Sequence, residues 1–154
     1  MTPSEYQIAI YSGKICPYCK SQTEYVSSAE AYEGIHYGMI YLCRSCDAWV
    51  GVHKGTDTAL GRLANKELRY WKKEAHRWFD PIAIHGLINQ VWPEYVEDIT
   101  NRKKAYLWLS KKMDKDFEFT HIGMFDVEDC KLVVDICKPI VEKLTDSDDF
   151  YLPY

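Results

Sequence analysis

The chain has 154 residues, 47% hydrophobic and 14% aromatic, which suits one ordinary domain or a small metal-held module joined to a helical one and excludes a disordered chain. A formal charge of −4 and a pI near 5.7 exclude a protein that is basic throughout, as general polyanion binders tend to be. No apolar run approaches the roughly 20 residues of a membrane span, and the N-terminus lacks a basic region followed by an apolar one, so no membrane association and a cytoplasmic location with reduced thiols are expected.

In chain order, residues 7–12 read as a short strand entering the turn Cys16-Pro-Tyr-Cys19. Residues 23–27 read as a strand, 29–34 as a loop, 37–42 as a returning strand and 48–52 as a third, all rich in β-formers. Cys43-Arg-Ser-Cys46 closes the second of these turns, so each C-x-x-C pair sits at a strand end. Gly51, Gly55 and Gly61 mark the exit from the β region, and a helical turn is expected at 59–64. Asn65 is suited to cap a helix over 66–79, with Leu68, Trp71, Ala75 and Trp78 on one face. Asp80-Pro81 is expected to stop that helix and start another over 82–90. A third helix runs from Thr100 to about Met113. The last opens on Asp126 and Asp129 as a capping box, carries Cys130, Val133, Val134, Cys137, Ile140 and Val141 at helical spacing, and should bend or end at Pro139. Residues 146–154, acidic then aromatic, read as a surface tail.

Two C-x-x-C pairs in one short chain supply four soft thiolates, each pair able to hold two corners of a tetrahedron. Cys16, Cys19, Cys43 and Cys46 are therefore the expected ligands of one structural Zn2+, and four thiolates leave no position for water or substrate. Residues 8–19 also resemble the strand and active-site turn of glutaredoxins. That redox reading supplies no cis-proline between Pro17 and Pro81 and leaves the second pair unexplained.

The overall acidity hides a basic island. Residues 62–77 carry six basic and two acidic groups, between flanks of four against six and nine against fifteen. Lys54, Arg62, Lys66, Arg69, Lys72, Lys73 and Arg77 are thus candidate phosphate contacts, with Tyr18, Tyr37, Tyr41 or Trp49 available to stack on bases. The plainer alternative is a solvated helix face. His76, Asp80, His121 and Asp126 would form a catalytic divalent-metal site if brought together, although capping accounts for both aspartates unaided. A nucleobase deaminase is excluded, because no histidine has Glu two residues on and Ile15 rather than Pro precedes Cys16.

Five segments, residues 16–19, 41–56, 60–69, 75–81 and 121–126, together resemble an uncharacterised family of bacteria and phages described as a zinc-finger-containing domain. The resemblance spans about residues 14–137 and implies zinc at the four cysteines and a bacterial or phage origin. Family members often have glycine after the first pair, where this chain has Lys20.

The expectation is an α+β protein: a four-cysteine zinc ribbon at 6–56 packed against a mostly helical portion at 57–145, with the two forming one unit. The pattern favours non-catalytic binding over an enzyme. DNA or RNA is the first expected partner, a protein partner, such as a host protein met by a phage protein, is the second, and a metal-dependent hydrolase or nuclease is the third reading. Oligomeric state is not encoded in any feature of the sequence.

Overall fold

A computed structural model describes residues 2–31 and 33–145; the surface tail expected at 146–154 lies outside the described residues. The chain divides into two units, Met1–Arg69 and Tyr70–Tyr154. Among the described residues there are five α-helices and one three-stranded antiparallel sheet, so the α+β class is borne out. No helix among them is long and apolar enough to cross a membrane.

The first unit opens with α1 (Pro3–Tyr11), not with the expected strand. Thr2 and Glu5 form a reciprocal capping box and Pro3 supplies the first helical turn, and this start signal outweighs the β-propensity of Ile8, Ile10 and Tyr11. Then come β1 (Glu24–Ser27), β2 (Met39–Cys43) and β3 (Ala48–Gly51), in spatial order β1-β2-β3. Tyr25 lies opposite Tyr41, and Tyr41 opposite Val50, on one face of the sheet. That face joins Cys16, Tyr41, Cys43, Ala48, Val50, Ala59 and Leu63 in a small core.

Residues 59–64 form no helical turn. They run along β3 instead, with Ala59 bridging Val52, and Ala64 exchanging both backbone hydrogen bonds with Trp49 at 2.9 and 3.2 Å. The sheet edge offers these amides partners that a single helical turn would leave unmet, and Leu63 becomes fully buried. Residues 57–69 thereby belong with the sheet.

The division between units falls inside α2 (Lys66–Ala83), whose start is capped by Asn65 Oδ1 accepting the Leu68 N–H at 3.0 Å. Asp80-Pro81 does not stop this helix. Pro81 removes one N–H, near the last turn, while Phe79, Ile82 and Ala83 beside it are all buried, and that burial outweighs one lost bond. The expected helix over 82–90 shrinks to α3 (Ile88–Val91).

In the second unit α4 (Asn101–Met113) is central, touching α3, the 3₁₀ turn Phe117–Phe119 and α5 (Val127–Leu144). Thr100 caps α4, as expected. The Asp126 and Asp129 box caps α5, which continues through Pro139 to Leu144. Cys130, Val133, Cys137 and Val141 form its buried stripe, and burial raises the Cys137 thiol's pKa.

Two outcomes test this account by urea denaturation. Gly13 has φ +77° and its missing Cβ would lie 3.0 Å from the Tyr41 ring, so Gly13→Ala should destabilise by about 1–3 kcal/mol. Asp126→Ala should cost about 1 kcal/mol, whereas Asp126→Asn keeps the cap and stays within a few tenths of a kcal/mol.

Candidate metal centre

The four cysteine sulfurs all lie within 4.8 Å of one another, and Cys19 Sγ is 3.6 Å from Cys43 Sγ. A tetrahedral site with Zn–S bonds of about 2.3 Å has S···S edges of about 3.8 Å, so the residues fit the ion. Cys16, Cys19, Cys43 and Cys46 thus hold one structural zinc, and they form the only group of three or more metal-ligating side chains among the described residues.

Each knuckle is built by its backbone. In the first, Ile15 bridges Gln22, the Cys16 N–H donates to Ser21 O at 2.9 Å, and the Lys20 N–H donates to Cys16 O at 2.9 Å. The Tyr18 N–H points at Cys16 Sγ, 3.4 Å away. Residues Lys20 and Asp47, each directly following a C-x-x-C pair, both adopt the left-handed conformation, at φ 68° and φ 50°. That requirement explains why glycine suits the position after the first pair.

Without a cation the four thiols resist joint ionisation. Hydrogen bonds from the Ser21 hydroxyl and amide, and then from Cys43, hold Cys19 down at about 6. Burial raises Cys16, and burial with hydrogen bonds to Cys19 and Cys43 pushes Cys46 up to about 12. A divalent cation reverses this balance by deprotonating its ligands, so binding releases protons and weakens as pH falls.

Two side chains that the sequence did not mark as supports tie the knuckles to residues 63–69. The Tyr18 hydroxyl donates to Leu63 O at 3.5 Å and accepts the Asn65 N–H at 3.1 Å. Arg69 lies 3.7 Å above the Trp49 ring, donates to Asp47 O at 3.0 Å and to Ala64 O at 2.8 Å, and approaches the Asp47 carboxylate at 3.6 Å. No local spacing marks either contact, because Arg69 lies 22 residues from Asp47 and reads in the sequence as a phosphate contact.

The other candidate residues separate. Lys54, Lys66 and Lys73 are exposed, and Arg62 is half-buried. Lys72 donates to Gly123 O at 2.9 Å, and Arg77 stands 3.9 Å from Glu74 and 5.2 Å from the Trp78 centroid. Of the stacking candidates Tyr41 is buried, Trp49 lies under Arg69, and Tyr37 is 73% exposed. His76 Nδ1 sits 3.2 Å from Asp80 Oδ1, His121 Nδ1 accepts the Gly123 N–H at 3.2 Å, and Asp126 caps α5. The four do not gather into a metal-ligating group.

A ribbon closed by four cysteines in this way defines a zinc-binding protein. A family model described as a zinc-finger-containing domain matches residues 12–140, and the chain belongs to that family. No curated protein and no solved structure matches the chain.

Elemental analysis should find one zinc per chain, lost in Cys43→Ser/Cys46→Ser and released on acidification. Arg69→Ala should keep the zinc yet lower stability by about 1–2 kcal/mol, since a partly buried cation–π contact and two carbonyl hydrogen bonds disappear together.

Proposed function

We propose that this protein is a non-catalytic nucleic-acid-binding module of the reduced cytoplasm, in which zinc fixes the ribbon and lysine side chains meet phosphates. The closed shell of four thiolates supports a structural role for the metal, because no coordination position remains for a substrate. The observation that carries the partner class is the state of three ammonium groups. Lys54 and Lys66 in the first unit and Lys73 in the second are exposed, and none has a carboxylate within ion-pair distance among the described residues. Lysines without internal partners gain most from releasing counterions at a phosphate backbone. Arg69, Lys72 and Arg77 are engaged in the fold, so their part in binding is secondary to these three and to the half-buried Arg62. Tyr37 is the ring best exposed for stacking.

A protein partner is the second reading, favoured by Ile35 and Tyr37, 50% and 73% exposed in the loop between β1 and β2. Binding of the zinc-loaded chain to single- and double-stranded DNA and RNA, measured between about 50 and 200 mM salt, tests both. The nucleic-acid reading expects steep salt dependence, with Lys54→Glu/Lys66→Glu/Lys73→Glu flattening the log–log slope by about 3. No binding to any of the four forms at low salt would sink it. A pulled-down partner retained by the lysine variant but lost in Ile35→Ser/Tyr37→Ala would establish the second.

A further inference from the structure

The second unit contains a cleft of about 340 Å³ where the start of α4 meets the 3₁₀ turns that follow it, and Arg102, Lys103, Tyr106, Phe117, Glu118 and His121 line it. Its size falls at the lower end of small-ligand sites, roughly 300–1,000 Å³, and matches one nucleotide better than a longer ligand. Arg102 and Lys103 are exposed on the first turn of α4 and have no carboxylate within ion-pair distance among the described residues, Glu118 included. The Arg102 guanidinium stands 5.6 Å from the Tyr106 centroid.

The wall behind these cations is fixed. Tyr106 is buried between Phe79, at 4.5 Å between centroids, and His121, at 5.1 Å and 21°. His121 Nδ1 accepts the Gly123 N–H at 3.2 Å, which holds the imidazole against the Tyr106 ring. Thr100 satisfies the Lys103 amide, and the first-turn amides before it have no intrahelical partner and add partial positive charge. Phe117, 42% exposed, supplies the aromatic side chain of the lining. Two exposed cations and an exposed aromatic side chain around one small volume suit an anion carrying a planar aromatic group. Glu118 suits the N–H and O–H donors of a base or sugar and disfavours a bare polyanion.

We propose that this cleft binds a nucleoside phosphate, with the phosphate at Arg102, Lys103 and the start of α4 and the base against Phe117. The ligand is either a free nucleotide or one residue of a strand. The inference uses none of the residues on which the ribbon reading rests.

Calorimetric titration of the zinc-loaded full chain with AMP, CMP, GMP, UMP, inorganic phosphate and a tetrathymidylate tests it. At least one monophosphate should bind with Kd below about 1 mM, and Arg102→Ala/Lys103→Ala should weaken it about tenfold or more. Phe117→Ala should weaken the monophosphate about tenfold while leaving inorganic phosphate unchanged. Lys111→Ala/Lys112→Ala, the same charge change at the other end of α4, should stay within about twofold. A monophosphate binding more tightly than the tetrathymidylate identifies a free nucleotide, and the reverse order identifies a strand. Absence of binding by every nucleotide, or equal loss in the two charge variants, overturns the proposal. Lys54→Glu/Lys66→Glu/Lys73→Glu should leave monophosphate affinity unchanged, which separates failure of the ribbon reading from failure of this one.

Discussion

Four sulfurs from two turns 27 residues apart in sequence must meet inside one coordination shell, and the first unit is arranged to satisfy that demand. Its core is small, seven side chains of which Cys16 and Cys43 are themselves ligands. A module of this size buries too little apolar surface to be robust alone, and a structural zinc contributes roughly 10–16 kcal/mol of apparent binding free energy to folding. The left-handed residues Lys20 and Asp47 follow from the same demand. Each C-x-x-C turn must reverse sharply enough to aim both sulfurs inward, and the cost of about 1–2 kcal/mol per non-glycine residue is small beside the metal term.

The knuckles are held from behind by residues 63–69, and this explains why those residues belong to the first unit. Tyr18 and Arg69 reach the backbone at Leu63, Ala64, Asn65 and Asp47, so the turns are tied to a segment that also bridges the β3 edge. An arginine stacked on Trp49 and bonded to two carbonyls is a pre-organised fork, a role lysine would fill poorly. The second unit uses a related device without metal. Lys104 is buried, and its ammonium donates to Asn89 Oδ1 at 3.1 Å and Tyr95 O at 2.9 Å, fixing the loop before α4 through neutral acceptors.

The zinc ligands and three strands were legible because both signals are local: ligand spacing in one case, β-branched and aromatic runs in the other. α4 and α5 were legible for the same reason, since Thr100, Asp126 and Asp129 announce their starts. The failures came where two local signals competed or a distant partner decided. Thr-Pro-Ser-Glu at residues 2–5 is a capping box as clear as that of α5, and it competes with the strand-like composition of residues 7–12. Pro81 reads as a stop in the sequence, whereas burial of its neighbours carries the helix past it. Residues 59–64 pair with a sheet edge no local pattern could reveal, and Arg69 looked like one more cation on a helix until Trp49 lay beneath it.

That reassignment sharpens the functional question. A cluster of positive charge in sequence is an upper bound on the charge available to a ligand, because cations that hold carbonyls and rings are partly desolvated and cannot turn outward without loss of structure. Removing Arg69 and Lys72 from the accessible set dilutes the island around residues 62–77, and an acidic chain has little background attraction for a polyanion. Binding through the remaining lysines would therefore depend on local geometry more than on net charge. Electrostatic steering of that kind is short in reach, confined within a Debye length of about 8 Å at physiological salt, so each ammonium would act only on phosphates brought close to it.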